Sequence, residues 1–164
     1  KMIFRFTKNS QTKLKTGRLP AVEESSNLLY EWYVNVFFCM RHKYFITTNA
    51  ATLFTVIIYG AGIKDDTDYF GHIFNAVRQQ MQDVSLDLIF QRMISSKISE
   101  IIYANTINRS ILGSMNDMTA MAKLLIQEDQ LPPFEISKFI NDTPFKYIGM
   151  HDPLDCLVKY KKYD

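Results

Sequence analysis

The chain has little of what disulfide scaffolds and metalloenzymes are built from: two cysteines and three histidines in 164 residues. Cys39 and Cys156 stand 117 positions apart with no C-x-x-C pair, so neither a disulfide framework nor a cysteine zinc site is encoded. Two reduced, structural thiols are expected. His42, His72 and His151 fall in three separate segments without an H-x-x-x-H or H-E-x-x-H pair, and no metal site is expected from them. Six glycines and five prolines are too few for a low-complexity linker. The most apolar run, residues 53–62, holds ten residues including Thr55, Gly60 and Gly62, whereas a membrane-spanning helix needs about 20. No membrane segment is expected. The first eight residues lack the apolar stretch of a secretory signal, which leads us to expect a cytoplasmic protein. Familiar chemistry is missing too. No G-x-S-x-G elbow and no G-x-x-x-x-G-K-[ST] loop occurs, and after Gly60 and Gly62 a dinucleotide loop would need a third glycine where Asp65 stands. No cofactor is expected.

What is present fits one globular domain spanning residues 1–164. Hydrophobic residues make up 47%, aromatics 13% and charged residues 22%, which excludes disorder, collagen and coiled coil. Net charge is only +2, yet it is unevenly placed. Residues 1–18 carry Lys1, Arg5, Lys8, Lys13, Lys15 and Arg18 with no acid, leaving thirteen basic and seventeen acidic residues elsewhere. Such asymmetry fits an anionic partner, and equally a short basic helix facing water.

The pattern of elements predicts an α+β fold, with a mixed, largely antiparallel sheet of four or five strands packed by four or five helices. Residues 2–7 read as a first strand and 8–16 as a basic helix stopped at Gly17. From Glu31 to Asn49 the chain is β-branched and aromatic on both faces, predicting a central hairpin that turns at Arg41-His42-Lys43. Residues 53–58 read as another strand or a buried short helix, which periodicity does not separate, with β-branching favouring the strand. From Asp66 apolar residues recur at three- and four-residue steps through Met81, predicting an amphipathic helix; a second follows with Ser85 as its cap. A short strand over 100–104, helices over 114–127 and 134–141, and a last helix from Asp152-Pro153 to Tyr160 complete the chain.

The densest polar block runs from Asn105 to Asp117. Ser114 followed by Asp117 has the form of a capping box at a helix start. With Gly113 allowing close approach, the same helix start could offer N–H groups to an anion, joined by Asn108, Arg109, Ser110 and Asn116. Those residues with Ser114 are the candidate ligand-binding set. Asp117 would cap the helix yet weaken anion binding. A second arrangement interleaves cations with aromatics at Phe4, Arg5, Phe6 and Lys8 and at Arg41 to Tyr44, so that Arg5, Lys8, Lys13 and Lys15 are candidate nucleic-acid contacts.

Several of these segments resemble, in order, an uncharacterised bacterial family of unknown function. The likeness rests on Met2 to Lys8, Glu31 to Phe37, Arg41 to Asn49, Leu53-Phe54 and Asn108 to Asp117. They are similar to that family's W-x-N-L, R-K-x-x-x-F-T-N and N-R-S-x-L-G-S-M-N-D blocks, the last being the specific one. The chain departs from the pattern at Glu31, at Phe37 and in a longer basic tail. The resemblance implies a small single-domain cytoplasmic protein and supplies no catalytic residues.

With no catalytic constellation, the residues point first to a non-enzymatic module binding a protein partner, a second copy of itself or an anionic ligand. The alternatives are a phosphoester hydrolase or nuclease, with His42 or His151 as base beside Arg109, and nucleic-acid binding through the basic N-terminal segment.

Overall fold

Along the first strand Met2, Phe4 and Phe6 turn to one side and Ile3 and Arg5 to the other. Every one of the five is buried, so this strand must lie inside a sheet covered on both faces. The computed structural model, which describes residues 1–163 and the last two of these by backbone alone, shows that arrangement. Strands β1 (Met2–Phe6), β2 (Glu31–Cys39), β3 (His42–Asn49), β4 (Thr55–Tyr59) and β5 (Ile101–Asn105) form one mixed sheet in the order β4-β3-β2-β1-β5. β1 pairs parallel with both β2 and β5, while the β2–β3 and β3–β4 pairings are antiparallel.

Among the described residues six α-helices join the sheet: α1 (Lys8–Leu14), α2 (Asp66–Asp83), α3 (Asp87–Phe90), α4 (Arg109–Asp129), α5 (Pro133–Asn141) and α6 (Pro153–Val158). The fold class is therefore α+β, with helices on both faces. On one face Phe4, Trp32, Val34 and Phe45 meet Tyr69, Ile73 and Val77 of α2. On the other Tyr33, Ile46 and Ile57 meet Met115 and Met118 of α4 and Ile136 and Ile140 of α5. The outer edge of β4 is closed by α5: Asn141 accepts from Thr55 N at 2.8 Å and donates to Thr55 O at 2.9 Å, and Ser137 Oγ accepts from Ile57 N at 2.8 Å. These side chains supply what a sixth strand would, which satisfies the exposed ladder.

Three local expectations are corrected. The hairpin turns at Met40 and Arg41, one residue earlier than expected, with both residues at positive φ (49° and 68°), as a two-residue type I′ turn requires. Ser85 does not cap the helix after it; α3 follows Leu86 with no side-chain cap and runs into a π-helical turn, Gln91–Ser95. Finally, α4 begins at Arg109 rather than Ser114 because Asn108 caps it, accepting from Ser110 N and Ile111 N at 2.9 and 3.0 Å.

The placement of α1 and α4 decides where a site can form. Leu14 of α1 belongs to the core beside α2, and Ile111 of α4 to the opposite core. The chain thus leaves the adjacent carboxyl ends of β1 and β5 toward opposite faces, the place where open α/β sheets form a crevice.

Candidate functional site

The earlier start of α4 dissolves the expected anion pocket at Ser114. Ser114 is buried and its hydroxyl donates to Ser110 O at 3.1 Å, so it is an interior helical residue and not a cap. Arg109, Ser110 and Asn116 are exposed, and Gly113 faces open space. Asn116 follows Arg109 by seven positions, which stacks them on one face two turns apart, while Ser114 points inward. Two of the N–H groups at the helix start that an anion would need, those of Ser110 and Ile111, are occupied by the Asn108 side chain. Burial raises the phenols of Tyr33 and Tyr147, which lie near Asn108, above the ordinary tyrosine value.

Arg5 is likewise not where the sequence suggested. It is fully buried and paired with the equally buried Glu31, so it cannot present its charge to a nucleic acid. Its guanidinium further donates to Val22 O at 2.8 Å, Asn105 O at 3.1 Å and Glu23 O at 2.9 Å. The second Glu31 oxygen accepts from Ser25 N at 3.0 Å. One ion pair therefore ties the irregular segment 22–25 across the carboxyl end of β1. Sequence reasoning missed this because an arginine between two phenylalanines reads as a solvent-facing strand position.

The remaining basic residues do converge. Gln11 of α1 donates to Phe6 O at 2.8 Å and to Asn105 Oδ1 at 2.7 Å, and Asn105 donates to Leu19 O at 2.7 Å. Those bonds seat α1 and the chain after it at the mouth of the β1–β5 crevice. There Lys8, Gln11, Thr12, Lys15, Gly17 and Arg18 line an open concavity of about 330 Å³. Lys8, Lys15 and Arg18 are exposed and no carboxylate is among the lining residues. Lys15, at φ 55°, ends the helix in the left-handed region and turns the chain so that Arg18 comes back to the same hollow. Lys13 emerges on another side of α1, its Nζ 5.2 Å from the ring centre of Phe38.

The histidines stand apart from the polar block in their bonding. His42 Nδ1 lies 2.6 Å from the Tyr59 hydroxyl, His72 Nδ1 lies 2.8 Å from Asp68 O, and His151 pairs by its backbone with Phe145. Among the described residues no group of three or more His, Cys, Asp or Glu could hold a metal ion, and no helix is long and apolar enough to cross a membrane. A second concavity, about 290 Å³ between β4, α2 and α5, is lined by apolar and amide side chains with His72 and carries no lysine or arginine. No curated protein matches the chain significantly. Over residues 3–156 the chain matches, and thus belongs to, the family described as a domain of unknown function, DUF6933.

Proposed function

We propose that the protein is a binding module for an anionic, phosphate-bearing ligand, received in the hollow beside α1. The observation that carries this reading is the lining itself: three cations and no acid, around a Gln11 side chain that bonds the last residues of the parallel strands β1 and β5. Ammonium and guanidinium groups held in one concavity repel each other, and an oxyanion placed between them relieves that repulsion while accepting charge-assisted hydrogen bonds. Arg18 offers a planar fork suited to phosphate and Lys8 and Lys15 act as point charges, while the Gln11 amide and Thr12 hydroxyl donate to Phe6 O, Asn105 Oδ1 and Lys8 O and so line the hollow without serving the anion. The five residues around the α4 start support a ligand less well, since the cap occupies two of the helix N–H groups.

Isothermal titration with pyrophosphate in low-salt buffer tests the reading. Wild-type protein is expected to bind with one-site stoichiometry, and Lys8→Glu combined with Lys15→Glu, both at exposed positions, is expected to abolish the heat. Pyrophosphate binding unchanged by that double substitution, or no binding by the wild type, would refute it.

A further inference from the structure

The register of the sheet carries α1 next to a second cationic surface. β1 ends at Phe6, opposite Val34, while β2 runs on to Cys39. Along that extension the neighbour of β2 on its β1 side is not a strand but α1, whose Ser10 hydroxyl donates to Val34 O at 3.0 Å and whose Lys13 reaches Phe38. Phe38 is 50% exposed, and its direct cross-strand partner is Lys43. The ring therefore has the Lys13 ammonium of α1 over it and a lysine of β3 as its cross-strand neighbour. Lys43 is half-buried, with Nζ donating to Ile63 O at 2.8 Å and standing 5.6 Å from the Phe45 ring centre. Burial and then the Lys13 charge push the Lys43 amine below its ordinary value, and among the described residues it forms no ion pair. The carboxylates that follow in the chain are engaged elsewhere: Asp65 accepts from Asp68 N and Asp68 from Lys64 N. At the hairpin tip Met40 is 62% exposed and Arg41 is exposed, both in the left-handed conformation where asparagine and glycine are at ease. Strained backbone carrying large exposed side chains is a feature that function tends to retain.

A large exposed ring among cations matches one class of polyanion better than others. Acidic peptides and inorganic phosphates offer charge but no flat face; a duplex offers charge but keeps its base faces stacked inside. Single strands offer both phosphates and free base faces. α1 is seven residues long, roughly 10 Å, and about 10 Å across with side chains, so the hollow on one side and Phe38 on the other lie within reach of a few nucleotides. We propose that this surface binds single-stranded nucleic acid, with phosphates passing from the α1 hollow to Lys13 and Lys43 and a base stacked on Phe38. The inference rests on the anion reading of the hollow and names the ligand class for it.

Fluorescence anisotropy with a labelled thymidylate decanucleotide, beside pyrophosphate calorimetry, tests the proposal separately from its premise. The oligonucleotide is expected to bind more tightly than pyrophosphate, with a log–log salt slope of about −3.5 if the three cations of the hollow, Lys13 and Lys43 all meet phosphates. Phe38→Ala, at a half-exposed position whose folding a thermal melt verifies, is expected to weaken the oligonucleotide at least about fivefold and leave pyrophosphate unchanged. Lys13→Glu should weaken the oligonucleotide as well. Equal affinity for a duplex or for polyglutamate, or indifference to Phe38→Ala, overturns the stacking proposal while pyrophosphate binding keeps the hollow. Failure of both ligands overturns both readings. Oligonucleotide binding that survives Lys8→Glu with Lys15→Glu but not Phe38→Ala removes the hollow and confines the nucleic acid to the hairpin tip.

Discussion

Arg5 shows how one side chain can organise a region of chain that has no regular structure. Its guanidinium meets Glu31 and three backbone carbonyls, and Glu31 in turn holds Ser25 N. Both groups are out of water, so each compensates the desolvation of the other. Glu31→Gln would leave the guanidinium buried opposite a neutral amide. The expected loss is about 3–5 kcal/mol, read as a lower urea midpoint, with faster proteolysis in the segment 22–25 that the pair ties down. A loss within about 0.5 kcal/mol, the size of an ordinary surface substitution, would show that the backbone bonds hold the segment without the ion pair. In the sequence Arg5 was visible only as a cation in a basic stretch. Whether it faced water depended on β5, which is about 100 positions away and encloses β1.

Among the elements, the β2–β3 hairpin was legible from its two apolar faces, because both sides of that ribbon are covered by helices. The exact tip was not, since Met40 and Arg41 are unlike the residues that a tight I′ turn favours. Holding two such residues at positive φ costs roughly 1–2 kcal/mol each. Met40→Asn combined with Arg41→Gly is therefore expected to stabilise the protein by about 1–3 kcal/mol. Calorimetry should show a rise in melting temperature of about 2–4 °C for each kcal/mol. An unchanged or lower melting temperature would mean that the Met40 and Arg41 side chains stabilise the tip by contacts larger than the strain. The start of α4 was misplaced for a related reason. Ser114-x-x-Asp117 has the composition of a cap, but Asn108 lies one residue before a continuous helical stretch and its side chain takes two N–H groups at once. Local composition offered two starts; the packing of Ile111 into the core selected the earlier one.

At the scale of the whole molecule the sheet is shared by two hydrophobic cores, so neither face can be stripped without exposing the other side of the same strands. Trp32, the one tryptophan, is buried in the α2 face, whereas helical ellipticity reports both faces. Urea transitions followed by tryptophan fluorescence and by far-UV circular dichroism are expected to coincide. Separated midpoints would mean that the α4–α5 layer detaches while the α2 layer stays packed. By itself the sequence determined the alternation of strand and helix, the α+β class and the concentration of cations before residue 19, because periodicity and charge are local properties written along the chain. Only the tertiary structure decided which of those cations reach water. Strand pairing over long separations buries Arg5 against Glu31, and the bonds of Gln11 and Asn105 place Lys8, Lys15 and Arg18 around one hollow. The relative position of residues distant in sequence is set by burial and by the satisfaction of backbone polar groups in three dimensions, which no local pattern contains.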